Sequence, residues 1–299
     1  MADPRMADQI QRFIFDRADV RGEIAQLDAA YRQIIGRSEQ SPAVQQLMGE
    51  GLVAAALLAA TLKYPSALTL QLQSTGPLSL LLIQVGSDGT MRAMARTRGE
   101  VPANARLDEQ ASQGTLAITI EPEDGGERYQ GIVDLSGGSL AAALEHYFAE
   151  SEQLPTHVWL SADPERAAGL LLQRLPGPDG GPARDEDAWE RAGQLAATVT
   201  GAELRELSAD AVLHRLFHEE DIRLFEPSPL RFGCRCSRQR VADMLRSLGA
   251  DELRETLAEQ GQIQVHCDFC NEPYRFDAVD VEALCVDPTT RAAPSDTSH

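Results

Sequence analysis

Residues 233–274 read GCRCSRQRVADMLRSLGADELRETLAEQGQIQVHCDFCNEPY. Cys234 and Cys236 form one close pair, and Cys267 and Cys270 form a second about thirty residues later. Two thiol pairs joined by a segment long enough to fold back can place four sulfurs around one point. A tetrahedral zinc site needs that arrangement, with thiolates about 2.3 Å from the metal. Four of the five cysteines fall into these pairs, so the stretch predicts one Zn2+ per chain held by Cys234, Cys236, Cys267 and Cys270. A structural knuckle ordinarily has at least two residues between paired ligands, whereas Cys234 and Cys236 are separated only by Arg235.

That short spacing has a redox consequence. Extended backbone puts the outer Cα atoms of a three-residue segment about 7 Å apart, at the limit of what a disulfide spans. Cys234 and Cys236 can join only if the backbone tightens, and a bond under such strain is readily reduced again. Cys267 and Cys270 have the spacing of a dithiol that closes within a turn. Arg231, Arg235, Arg238 and Arg240 surround the first pair, and nearby positive charge favours the thiolate, the form that binds metal and meets oxidants. The residues alone leave two readings open, a reversible switch and a zinc site that never oxidises.

Working outward, the net charge of −19 sets the cysteine domain apart from a DNA-reading zinc finger. Such a charge repels phosphates and anionic membranes. The 299 residues suffice for two domains of about 150 residues each. MADPRMADQIQRF has no apolar core of signal-peptide length, and the apolar run Leu52 to Leu62 is too short and alanine-rich to span a bilayer. An odd number of cysteines without an export signal favours reduced thiols and a metal, hence a cytoplasmic protein.

Periodicity predicts an α+β fold: an N-terminal mixed sheet-and-helix domain over 1–176, a short helical linker over 177–231, a small zinc-binding domain over 232–286 and a disordered tail over 287–299. Gln9 to Phe15 reads as a strand. VRGEIAQLDAAYRQII has helical spacing at Ile24, Leu27, Tyr31 and Ile34. A second helix starts after Ser41-Pro42 and runs to about Leu62, apolar round most of its circumference and therefore buried beneath a sheet. From Ala67 the period becomes two, and LSLLLIQV, MRAMARTRG, LAITIEP and RYQGIVDL continue as strands. SLAAALEHYFAES is a helix, and HVWL and AAGLLLQRL close the domain as strands. No phosphate-cradling loop, nucleophile elbow or HExxH occurs, and no catalytic residue is expected.

Pro176 to Pro182 marks a boundary. Three short helices follow, about Glu186 to Val199, Glu203 to Leu207 and Ala209 to His218, with Ser208 as N-cap of the third. This segment holds little core of its own and depends on what it docks against. If it rests on the zinc domain, loss of metal would free Val212, Leu216 and Phe217. His214 and His218 lie one helical turn apart without a third ligand of evident spacing, and are read as ordinary helix-face residues. In the cysteine domain, Ser237 caps a helix ending at Gly249, and Asp251 to Gln260 forms another. Gln262 to Val265 and Pro273 to Phe276 make a hairpin around the second knuckle. Cys285, in a short apolar helix, reads as a small buried hydrophobe.

The run GCRCSRQRVADMLRSLGADEL, together with AEQGQIQVHCDFCNEPYRFDAVDVEAL, resembles the C-terminal region of the heat shock protein 33 family of redox-regulated bacterial chaperones. The resemblance rests on the CxC and CxxC spacing, the Cys-x-Cys-Ser-Arg start and the His-Cys-Asp-aromatic-Cys knuckle. It extends upstream through Arg21-Gly22-Glu23, Thr61-Leu62-Lys63, Gln71-Leu72-Gln73 with Gly76-Pro77-Leu78, and Glu127 to Gly131. It implies a monomer that is inactive while reduced and zinc-bound. Oxidation would form Cys234–Cys236 and Cys267–Cys270 disulfides, release zinc, unfold the linker and yield an active dimer. The active form would hold unfolding proteins without ATP under oxidative stress, binding neither nucleic acid nor membrane. Two rivals predict other behaviour. A thiol-disulfide oxidoreductase using Cys267 and Cys270 would turn over a disulfide substrate, although the thioredoxin-like βαβ context is missing. A zinc-stabilised adaptor with inert cysteines would keep its metal under mild peroxide.

Overall fold

A computed structural model describes residues 8–102, 106–135, 137–177, 185 and 187–285. The chain divides into two compact units, Met1–Gly233 and Cys234–His299. The boundary expected at Pro176 to Pro182 lies largely outside the described residues, as do Glu186 and the tail from Asp287.

The first unit is built from two six-stranded sheets. β1 (Gln9–Phe15) and β2 (Val20–Leu27) open the first sheet, and α1 (Ala29–Ile35) and α2 (Pro42–Thr61) follow. The second sheet is a meander of β3 (Ser66–Gln73), β4 (Leu78–Val85) and β5 (Thr90–Thr97), then, after the short α3 (Leu107–Gln110), β6 (Thr115–Pro122) and β7 (Tyr129–Asp134). α4 (Leu140–Tyr147) leads back to β8 (Thr156–Ala162) and β9 (Ala167–Arg174), which complete the first sheet beside β2. α2 packs on β2, β8 and β9 of one sheet and on β3, β4 and β5 of the other. Its apolar circumference is thus consumed on both sides, with Val44, Met48, Leu52, Val53 and Leu57 fully buried. By length and composition the whole of α2 would suffice to cross a membrane, although the run Leu52 to Leu62 by itself is too short. It is instead the helical core between two sheets, 72% buried.

The predicted helix through Ile24 and Leu27 is corrected: those residues lie in β2, and only Ala29–Ile35 is helical. Val20 and Ile24 enter one core while Ala25 and Leu27 enter the other. A strand buried on both faces loses its polar alternation, and its apolar residues fell by chance at helical intervals.

The middle segment supplies α5 (Ala188–Ala196), α6 (Gly201–Glu206) and α7 (Ala209–Phe217). Ser208 accepts a hydrogen bond from the Ala211 amide, the expected cap. These helices cover the outer face of the first sheet, where Val212, Leu213, Leu216 and Phe217 share a core with Phe13, Phe15, Ile24, Leu170 and Leu172. Gln26 Nε2 donates to the carbonyls of Leu204 (2.9 Å) and Leu207 (2.7 Å), pinning the end of α6 to β2. Within the first unit, the surface on which the segment rests is that sheet.

A strap follows that the sequence did not announce: β10 (Ile222–Leu224), β11 (Ser228–Pro229) and β12 (Arg231–Phe232). β10 and β11 pair antiparallel with β1 at the edge of the first sheet, and β12 pairs parallel with β5 at the edge of the second. Gly89, at φ +75°, makes the crossing possible, because a Cβ there would meet the Pro229 carbonyl oxygen.

The second unit contains α8 (Arg238–Leu248), α9 (Ala250–Gln260), the hairpin β13 (Ile263–His266) and β14 (Pro273–Phe276), and α10 (Ala278–Cys285), the predicted order. Its core is small: Ala242, Leu245, Leu253, Ile263, Phe276, Val281 and Leu284.

Candidate metal centre

Each cysteine pair is held by local structure of its own. Ser237 Oγ accepts from the Arg240 amide (3.2 Å), starting α8 directly after Cys236. Arg240 Nη1 reaches back to the Arg235 carbonyl (2.7 Å) and fixes the residue between the first two sulfurs. The second pair sits on a tight turn at the tip of the β13–β14 hairpin. There the Asn271 amide donates to the Cys267 carbonyl (2.8 Å) and the Cys267 amide to the Glu272 carbonyl (3.0 Å), with Asn271 at φ 57°. Asparagine tolerates that left-handed conformation better than most residues.

The four sulfurs converge, all lying within 4.8 Å of one another. Cys234 and Cys267 Sγ are 3.7 Å apart, and Cys236 and Cys270 Sγ 3.3 Å. Four sulfurs at about 2.3 Å from one tetrahedral centre stand about 3.8 Å apart, so the donor set fits a metal ion of that coordination. This is the one such group found among the described residues. Cys270 is buried and the other three are half-buried. Cys285 stands apart, packed against the small core with Sγ 3.9 Å from the Ala250 carbonyl, but it is half-buried and not the fully buried hydrophobe expected, because α10 sets it at the edge of that core. His214 and His218 stack at 5.9 Å and, among the described residues, join no cluster of ligand atoms.

The thiols are not alike. Burial opposes ionisation at Cys234, but the Cys236 amide and the neighbouring thiols outweigh it and bring Cys234 down to about 7. Burial pushes Cys267 and Cys270 up. A quartet of sulfurs this close cannot all ionise unless a cation shares the charge. Of the four arginines, Arg231 is paired with Asp88 (2.8 Å) and Arg238 with Asp280 (2.7 Å). Arg238 also lies over the Phe276 ring at 4.3 Å, so it ties α8 to β14 and α10. Sequence reasoning passed over Tyr274, whose hydroxyl bonds to Cys236 and is pushed up first by that bond, then by burial. An aromatic hydroxyl two strand positions from a ligand turn is the signal that was available.

A family profile described as Hsp33 protein matches residues 8–277. The chain belongs to the Hsp33 family. Proteins named 33 kDa chaperonin from Methylobacillus flagellatus and Pseudomonas aeruginosa are each 46% identical to it. The first match covers 94% of this chain and 95% of the relative, the second 98% and 99%. The fold agrees with the crystal structure of the Hsp33 homologue of Thermotoga maritima, at TM-score 0.78 and 23% identity over 93% of this chain and 98% of that one. This Hsp33 family member is accordingly a chaperone, a class that acts by binding other proteins; its α+β architecture matches that of the solved homologue, and it carries a C-terminal cluster of four cysteines.

Proposed function

We propose that this chain is a redox-regulated, ATP-independent holdase of the cytoplasm, with no catalytic residue. Cys234, Cys236, Cys267 and Cys270 hold one Zn2+ while reduced, and the ion supplies the positive charge that four adjacent thiolates require. The convergence of the four sulfurs within 4.8 Å is the observation that carries this reading.

Oxidation joins Cys234 to Cys236 and Cys267 to Cys270. In each pair two thiolates give up two electrons to a peroxide: an S–S bond forms, the O–O bond breaks, and both oxygens leave as water after taking up protons. A sulfur committed to a disulfide no longer donates to metal. Structural zinc contributes about 10–16 kcal/mol of apparent binding free energy, against about 5–15 kcal/mol for the stability of a whole domain. The small core around Leu245, Leu253 and Phe276 supports the inference that the second unit unfolds when its ligands are lost.

Residues 1–176 then form the stable body, 177–231 the metastable segment, 232–286 the switch and 287–299 a tail. Unfolding of the segment bares apolar surface for unfolding client proteins and for a second copy of the chain, giving the active dimer. The test follows metal release with a chromogenic chelator during peroxide treatment at raised temperature, with suppression of client aggregation assayed on the same samples. About one zinc per chain should leave as holding activity appears, and thiol reductant with zinc should reverse both. Metal that stays bound, or leaves without any gain in holding, overturns the reading.

A further inference from the structure

The strap Ile222–Phe232 closes the free edge of β1, and it is the piece of chain that runs directly into Cys234. Its side-chain hold is mostly exposed and polar, with Arg223 on Asp16 (2.6 Å), Arg231 on Asp88 (2.8 Å) and Gln11 Nε2 donating to the Phe225 carbonyl (3.1 Å), and exposed ion pairs of this kind add little. Its strands are three, two and two residues long. Pro227 and Pro229 have no amide to donate. Leu224 and Phe225 are each 40% exposed, and Leu230 is its one fully buried hydrophobic side chain. What it covers is different in kind. β1 reads QIQRFIF, seven residues rich in aromatic and β-branched side chains with a single charge, bounded by Asp8 and Asp16. A strand of that composition with an open edge templates the pairing of another chain.

The backbone groups concerned are identifiable. The Asp16 amide donates to the Asp221 carbonyl (2.8 Å), the Arg12 carbonyl accepts from Phe225 (2.9 Å) and the Asp8 carbonyl from Leu230 (2.8 Å). Ile14 lies opposite Arg223 in the same register. β7, by contrast, is paired only with β6 among the described strands, so its outer edge is bare in the resting chain and is not what activation uncovers.

We propose that the edge of β1 is a client-binding site, which takes an extended segment of an unfolded polypeptide as an added antiparallel strand once the strap has left. This rests on the redox reading above for how the strap is released. Recognition through main-chain hydrogen bonds is indifferent to most of the client's sequence, which suits a protein that must hold many partners. The strap is in this view the resting occupant of the client's place.

The test reads single-amide hydrogen exchange at Ile14 and Asp16 in the full-length zinc-loaded protein, with chemically unfolded citrate synthase as client. After peroxide activation these amides and the strap's own should exchange at least tenfold faster. On adding client, Ile14 and Asp16 should regain protection while Arg223 and Phe225 do not. A second arm uses Gly89→Ala under reducing conditions, where the new Cβ displaces Pro229 without oxidation. It should keep its zinc, expose the same two amides and hold client in part, with the same recovery of protection. If client is held in either arm while Ile14 and Asp16 stay unprotected, or stay protected throughout as the strap remains seated, the proposal is wrong. Should peroxide fail to release zinc, the redox reading falls, and the Gly89→Ala arm still decides the edge.

Discussion

At Glu23 the chain places a carboxyl in the middle of β2, 2% exposed, with Oε2 lacking any hydrogen-bond partner. Burial is the dominant effect and pushes Glu23 up to about 7, against the opposing pull of Arg21 and Arg12. A carboxyl raised on folding keeps its proton more readily in the folded chain, so stability falls as pH climbs from the ordinary value near 4.5 to about 7. Glu23→Gln should therefore raise the melting temperature at pH 8 and leave it unchanged near pH 4. The gain should be at most about 3 kcal/mol, reduced by the cost of burying an amide. Next to it, a Cβ at Gly22 would enter the Phe13 ring, so Gly22→Ala should cost about 1–3 kcal/mol by denaturant titration. At the metal centre, Cys270→Ser should abolish the visible bands of a tetrahedral cobalt(II)–thiolate site in metal-substituted protein, whereas Cys285→Ser should leave them intact. The quartet was legible because spacing alone restricts where paired sulfurs can go. Glu23 was not, because no local pattern says that a lone acid in a strand faces a core, and the pairing of Arg231 with Asp88 and of Arg238 with Asp280 was not, because those partners are remote in sequence.

Among elements, α7 is the one on which the proposed activation depends most directly. Phe217 packs against Phe13 at 6.0 Å and Phe15 at 5.2 Å between ring centroids, joining the middle segment to β1. Phe217→Ala should cost about 3–5 kcal/mol locally and loosen α5 to α7 while zinc remains bound. The expected result is faster amide exchange over 188–217 and partial holding activity in reduced protein; unchanged exchange would show that the helices are held elsewhere. The apolar positions of α7 and the alternation of β3 were readable because each has one buried face. β2 was misread because both of its faces are buried, and the strap was missed because strands of two or three exposed residues carry no period at all.

Across the whole molecule, two units with very different amounts of buried core imply two separable transitions. The large core joins both sheets through α2, whereas the second unit has few fully buried apolar residues besides its cysteines. Stripping metal with a chelator should delete one calorimetric transition and leave the melting of Met1–Gly233 close to its original temperature. A single transition that shifts as a whole would mean that the units unfold together. The order of strands also governs how the protein is made. β1 leaves the ribosome among the first segments, its neighbour β2 must wait for β9 near residue 167, and the strap arrives only after residue 222. At about 5–20 residues per second, the nascent chain carries an unsealed, aggregation-prone strand for about 10–40 s. A chaperone with this connectivity is itself in need of protection during its own synthesis, and most of all when stress has slowed translation.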